Sequence, residues 1–479
     1  LKILLGKQSW IFHDCLPTYS LNPKIFLSMK NFHFSASRRR FIQTAAAGTI
    51  AAPFILQSCM PDDGILQHAC IGVGGMGWGD LENFKKHPKV QIIALCDVDA
   101  DRLKKAAELV PNARTYTDWR ELFEKEGKVI ESVNVTVPDH SHFPIAWEAI
   151  KRKKHVYCQK PMCHDVAEVR QLTEAAVKAG IISQLGTQHA SSPNDRAAVK
   201  LMKEGAVGKV KHVYLCSNRP GAEQYRIVGP RPAEGLEPPA NLNWEIWTGT
   251  APMRPYAPDI YHPMLWRSWQ DFGTGWSGDI GCHIFDAVWK GLGLTAPKTV
   301  IAQVQQSWQE TPERRADVWP QSNHISWVFP GNKMTESDEL PIEWFDGEFF
   351  PPQEIMDLYP GENYPGESAM IVGTEGALLV VHGGGLALLP QDKFVNYEMP
   401  KFPERNHYHH FVDACLGGEK TESHFAQTGP MTEAILLGTV AIGVPDTLLE
   451  WDAKNLKFPN HPDAEKYLRR TYRAGWEVV

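Results

Sequence analysis

Asp279 and His283 stand four apart in GWSGDIGCHIFDAVWKGLG. On a helix this spacing puts both side chains on one face. A carboxylate there can orient an imidazole and raise its basicity, which suits taking a proton from a hydroxyl. Lys160 lies in HVYCQKPM, at the end of a short apolar run. An ammonium at a strand end can stabilise an oxygen that gains negative charge, and can relay its proton. The three groups suit a reaction in which an O–H proton leaves one atom while a hydride leaves its neighbour.

A hydride needs an acceptor, and the segment HACIGVGGMGWGD offers a cradle for one. It reads as an apolar strand running into Gly72-Val73-Gly74-Gly75-Met76-Gly77 and then a helix, LENFKKH. Gly72 permits the tight turn and Gly74 lets the backbone approach a pyrophosphate. Gly77 lets the helix pack on the strand, and the helix start faces the phosphate charge. A second strand, VQIIALCD, ends in Asp97, 20 residues beyond Gly77. A carboxylate there accepts from adenosine ribose hydroxyls and repels a 2′-phosphate, which favours NAD(H) over NADP(H).

Strand-like runs ESVNVTVP, HVYCQKPM and IISQLGTQ alternate with helical runs as far as residue 188. The expected element is an N-terminal Rossmann domain over 60–188, with six strands in a doubly wound parallel sheet. Beyond it a helix (193–204) leads to a strand (210–217) and a Pro- and Trp-rich stretch (219–275). TVIAQVQQSW, HISWVFP, IEWFDG, SAMIVGT and ALLVVHG then read as one open, mostly antiparallel sheet. The fold class is therefore α/β plus α+β, with a second domain over 189–445 and a C-terminal tail over 446–479. Trp266, Arg267 and Trp276, in and beside YHPMLWRSWQDFGTGW, are expected to shape the ligand pocket, because aromatic faces stack on sugar C–H surfaces. His407, in NHYHHF, is expected to reach the same pocket, whereas Trp244 and Trp247 read as packing.

GxGxxG, VTVPDHSH, CQKPM, SGDIGCHIFD, NHYHHFVDACLGGE and GPMTEAILLGTVA, in this order over roughly residues 65–445, resemble the Gfo/Idh/MocA oxidoreductases. The resemblance implies that Lys160, Asp279 and His283 form the catalytic set. It places Gly75, Met76, Pro138, His142, Gln159 and Lys160 with the other loop residues around NAD. It also implies a second domain used for homo-oligomer contacts. Two departures stand out. Gln159 replaces the usual Glu, and Val137-Pro138-Asp139 replaces Thr-Pro-Asn, bringing an extra acid towards the nicotinamide.

The composition is that of a soluble globular protein, 43% hydrophobic and 22% charged. Residues 60–479 hold 42 basic and 55 acidic side chains, a poor match for nucleic acid. Nine cysteines show no CxxC or Cys/His ligand spacing, so neither a metal site nor a disulfide framework is expected.

Residues 1–59 are expected to be a leader and export signal, with Met29 as the start. Arg38-Arg39-Arg40 precedes an apolar run too short to span a bilayer. SRRRFIQ resembles a twin-arginine signal, and LQSC resembles a lipobox with lipid on Cys59. The expected location is the periplasm, or the membrane surface of a bacterium as a lipoprotein held only by that anchor. A twin-arginine route carries folded protein, so NAD would be loaded before export and tightly held. Three functions follow as expectations: hydride transfer at a sugar or glycoside hydroxyl, redox-neutral NAD-dependent glycoside hydrolysis, or sugar binding without catalysis.

Overall fold

The computed structural model describes residues 64–218 and 227–478. The expected export signal and Cys59 lie outside the described residues.

In the first domain β1 (Leu66–Ile71), α1 (Met76–Lys85), β2 (Val90–Cys96), α2 (Ala100–Leu109), β3 (Arg114–Tyr116), α3 (Trp119–Glu126), β4 (Ser132–Val135), α4 (His142–Lys151), β5 (His155–Cys158), α5 (Val166–Ala179) and β6 (Ser183–Leu185) follow one another. The six strands form one parallel sheet in the order β3-β2-β1-β4-β5-β6. The order reverses between β1 and β4, where a crevice opens at the strand ends. Local chemistry sets the helix limits. The side chains of Asp99, Asp118 and Asp165 cap α2, α3 and α5 by accepting backbone N–H bonds, and Gly180 closes α5 in the left-handed region.

The second domain holds α6 (Pro193–Glu204), β7 (Val210–Ser217), α7 (Trp244–Thr248), α8 (Gly275–Leu292), β8 (Thr299–Val304), α9 (Gln306–Gln309), α10 (Pro312–Asp317), β9 (Asn323–Pro330), β10 (Glu339–Asp346), α11 (Gln353–Met356), β11 (Glu367–Gly373), β12 (Ala377–Val381), β13 (Leu386–Leu389), α12 (His407–Cys415), α13 (Phe425–Gly443) and β14 (Leu449–Glu450). Its sheet runs β13-β12-β11-β7-β10-β9-β8-β14, antiparallel except where β7 meets β10. Strand β9 alternates strictly, burying Ile325, Trp327 and Phe329. Phe285 of α8 packs on Trp327 and Phe329, and the Trp327 indole donates to Ala434 O of α13 at 3.0 Å. Truncating a buried Trp of this kind to Ala costs roughly 3–5 kcal/mol, so this layer fixes α8, the carrier of Asp279 and His283.

Two late segments return to the first domain. Tyr408, Phe411 and Val412 of α12 share a core with Leu81, Phe84 and Tyr157. The 446–479 segment supplies β14 and then Arg470, which donates to Glu168 at 2.9 Å and to the His140 carbonyl at 2.5 Å.

Candidate active site

The glycine loop meets the demands read from its spacing. Gly72 has φ +82°, and a Cβ there would lie 2.0 Å from the Thr136 carbonyl. A Cβ on Gly77 would lie 2.1 Å from the Gly72 carbonyl, so loop and helix α1 touch backbone to backbone. Gly75 has φ +55° and only open space where its Cβ would be. That space belongs to a cleft of about 540 Å3, bordered by Gly72, Gly74, Gly75, Met76, Asp97, Pro138, Gln159 and Lys160 on the first-domain side. Trp266, Arg267, Asp279 and His283 border it from the second domain.

Asp97 is buried. Its two oxygens accept from Val73 N at 2.8 Å and Asp99 N at 2.9 Å, clamping the glycine loop. Each oxygen keeps a lone pair for a ligand hydroxyl. Burial raises its carboxyl above the usual range, against those two hydrogen bonds. Arg102 lies across Gly74 at the same end of the cleft and pairs with Asp99 at 3.4 Å. An adenosine end with ribose hydroxyls fits these donors and acceptors, and the helix α1 start at Met76 faces the phosphate position.

At the other end the Lys160 ammonium meets Asp279 Oδ1 at 2.6 Å, and Arg267 Nε lies 3.3 Å from Asp279 Oδ2. The Arg267 guanidinium also stacks on the Trp266 ring at 4.1 Å. The carboxylate of Asp279 therefore serves two cations rather than orienting His283. Its helical neighbour has a different setting. His283 Nδ1 is buried without a hydrogen bond, and the ring packs against His382 at a centroid distance of 4.8 Å. Burial, with Lys160 and His382 adding to it, holds the imidazole well below its ordinary pKa. His283 is thus a neutral base, less basic than the i,i+4 spacing suggested.

Three expected site residues lie elsewhere. His142 is buried under the cleft floor, its ring nitrogens 2.7 Å from the Pro161 carbonyl and 2.8 Å from the Val137 carbonyl. It braces the two loops that carry Pro138 and Lys160 and leaves no ring edge for a cofactor. The Trp276 indole donates to Ser217, at 3.0 Å to O and 2.9 Å to Oγ, and is packed away from the cleft. His407 is buried between Ser191 Oγ (2.7 Å) and the Leu185 carbonyl (2.9 Å). In all three the polar atoms of the ring are already matched inside the fold, which is the usual fate of a buried polar group.

Asp80 matters although spacing did not reveal it, and Asp139, expected to bring an extra acid towards the nicotinamide, is instead buried and bonded to Thr274. Asp80 of α1 is buried and accepts from Thr136 Oγ1 (2.7 Å), Gln159 Nε2 (3.0 Å) and Tyr408 OH (2.7 Å). Burial pushes its carboxyl up to about 6 in spite of these donors. Gln159 is therefore a donor to Asp80 at the cleft floor. Asp139 accepts from Thr274 N at 3.1 Å and Thr274 Oγ1 at 3.0 Å, just ahead of α8, while its Oδ1 is buried without a partner. Burial pushes this carboxyl up to about 7. Arg267 and Lys160 oppose the shift and Asp279 adds to it. Trp247, His262 and His382 also border the cleft. Trp247 does so while stacking on Trp244 at 4.7 Å.

A glycine loop at the reversal point of a parallel sheet, facing a helix-borne acid–base set on a second sheet domain, defines a two-domain dinucleotide-dependent fold. The chain belongs to the Gfo/Idh/MocA oxidoreductase family: residues 66–187 match its NAD-binding Rossmann fold and residues 191–319 its C-terminal alpha/beta domain. A myo-inositol 2-dehydrogenase of Thermotoga maritima is 29% identical over 163 residues, 33% of this chain and 48% of that protein. A glycosyl hydrolase family 109 protein of Porphyromonas gingivalis is 29% identical over 174 residues, 32% of this chain and 37% of that protein. The chain thus matches less than half the length of these relatives. The WlbA dehydrogenase from Bordetella pertussis, solved in complex with NADH and UDP-GlcNAcA, shares the fold with a TM-score of 0.56. It is 14% identical and is matched over 81% of this chain and 99% of that one.

Proposed function

We propose that this protein transfers a hydride between NAD(H) and a hydroxyl-bearing carbon of a sugar or cyclitol. The observation that carries this reading is the convergence of Lys160, Asp279, Arg267 and His283 on the cleft that begins at the glycine loop. NAD, when bound, supplies the hydride acceptor or donor. The neutral His283 takes the hydroxyl proton. Lys160, held by Asp279, stabilises the negative charge that grows on the same oxygen. Arg267, fixed on Trp266 and Asp279, borders the substrate end of the cleft. Asp97 accepts from the adenosine ribose and selects NAD(H) over NADP(H). This complete set of acid–base groups supports an enzyme over a sugar-binding protein without catalysis.

A second reading, redox-neutral glycoside hydrolysis, draws on the similarity to the Porphyromonas gingivalis protein. There the hydride would return to the sugar after elimination and water addition, and NAD would not be consumed. Export through SRRRF, lipidation at Cys59 and a tightly retained NAD belong to the same proposal and rest on the sequence alone, as does assembly into a homo-oligomer.

The test incubates purified protein with cyclitols, aldoses and p-nitrophenyl glycosides, without added cofactor. Bound NADH formed in step with a keto-sugar supports net oxidation. Released nitrophenol with unchanged NAD supports hydrolysis. Neither product from any of these compounds overturns both readings.

A further inference from the structure

A second cavity, of about 420 Å3, opens where α10, α13 and the 466–470 segment meet. The proposed reaction makes no use of it. Its walls are apolar, with Trp308, Trp319, Leu436 and Val440 among them. Its charged groups are mostly of one sign. Arg315, Lys466, Arg469 and Arg470 border it against the single carboxylate of Asp165. Burial and the neighbouring Glu168 push that carboxyl up to about 7, so its negative charge is weakened near neutrality. Such a balance is unusual for a chain whose residues 60–479 carry more acid than base.

These cations are not consumed by the fold. Arg315, Lys466 and Arg469 make no ion pair among the described residues. Arg470 is tied to Glu168 through Nε and Nη2, yet its Nη1 is buried without a hydrogen bond. His164 adds a ring whose two nitrogens are both buried beside Arg470. Burial, with Arg470 beside it, keeps that ring neutral, so it offers one N–H donor. Leaving the Arg470 Nη1 buried and unmatched is costly. An acceptor placed in the cavity would remove that cost.

We propose that this cavity binds a small organic anion, a phosphate or carboxylate head on a flat apolar body. The head meets Arg469, Lys466 and the free edge of Arg470, and the body lies between Trp308 and Trp319. A cavity of this size and lining matches small-molecule sites in general. A bare inorganic ion would leave the apolar walls unfilled, and a neutral aromatic would leave the donors unmatched.

The experiment titrates phenyl phosphate into the intact protein saturated with NAD, so that the dinucleotide cleft is blocked, and follows heat and tryptophan fluorescence. Saturable binding at one site is expected. Inorganic phosphate and phenol should each bind at least about tenfold more weakly, since each keeps only half of the recognition. The double variant Lys466→Glu/Arg469→Glu alters two exposed side chains and should weaken phenyl phosphate at least about tenfold through loss of charge-assisted contacts. Unchanged NAD affinity would show that this variant is folded. Failure of the wild type to bind phenyl phosphate saturably, or equal binding by the folded double variant, would overturn the proposal. It is independent of the proposed reaction, because neither result depends on turnover.

Discussion

The Lys160 ammonium and the Asp279 carboxylate meet at 2.6 Å across 119 residues of sequence, one from each domain. The pair bridges the two domains where both border the cleft. Lys160→Met should lower kcat/KM by at least ~100-fold, as loss of acid–base help generally does, and His283→Ala should do the same. Asp279→Asn should lower kcat less than Lys160→Met, because the ammonium survives without its anchor. Nucleotide titration should show NAD affinity within about twofold of wild type in all three. Near-normal turnover in both Lys160→Met and His283→Ala would remove these residues from the mechanism.

Asp97 and Arg102 border the same end of the cleft with opposite charge. Removing the carboxylate leaves the guanidinium available to a 2′-phosphate. Asp97→Ser should weaken NAD by roughly tenfold and strengthen NADP relative to NAD by at least as much, the scale of one lost or gained charge-assisted contact. Equilibrium titration with both nucleotides measures the shift, and an unchanged ratio would mean that Asp97 acts only as a clamp on the loop.

Two glycines of α1 should respond in opposite directions. Gly77→Ala places a methyl 2.1 Å from the Gly72 carbonyl, which neither backbone segment can relieve cheaply. It should destabilise the protein by about 2 kcal/mol or more and impair NAD binding. Gly79 has nothing within 4 Å of its Cβ direction. Gly79→Ala should stabilise by up to about 1 kcal/mol, because alanine loses less backbone entropy in a helix. Denaturant unfolding of the two variants provides the comparison.

Asp139 is pushed up to about 7 in the folded chain, against 3.8 for an ordinary aspartate. The folded state therefore holds a proton that the unfolded state has lost between these values. The contribution of this group is fully present below pH 4 and is lost as pH rises through about 7. Asparagine cannot ionise and keeps an oxygen for Thr274. Asp139→Asn should therefore gain thermal stability over wild type as pH climbs from 4 to 7, by roughly a few °C, and level off above. The difference between the two proteins is the quantity to follow, because buried histidines such as His68 and His155, lowered to about 4, titrate with the opposite sign. A pH-independent difference would show that Asp139 is ionised throughout.

Much of this architecture is legible in local pattern. The glycine loop, the strand ends at Asp97 and Lys160, helix α6 and the alternation of β9 each depend on residues close in sequence, so spacing reveals them. Strand β3, Arg114–Tyr116, has no buried residue and no apolar run, and it pairs only through Ala94–Cys96 of β2. Strand β14 is two residues long and exists because β8 is beside it. The site shows the same divide. His142, Trp276 and His407 are residue types that bind ligands, but their partners come from Pro161, Ser217 and Ser191, and no local pattern announces those. Asp80 has the converse history: an acid in an amphipathic helix, drawn into the site by Thr136, Gln159 and Tyr408. Asp279 and His283 do share a helix face, yet Lys160, 119 residues away, captures the carboxylate that the spacing alone assigned to the imidazole.

The three donors that converge on Asp80 come from the end of β4, the end of β5 and α12. A hinge that swung α12 away from the Rossmann sheet would pull one strut from this knot and strip a buried carboxylate of a partner. Wide jaw-like opening is thus coupled to loosening of the cofactor floor. The segment from His262 to Arg267 borders the same cleft without joining this knot, held instead by Asp99 and Asp279.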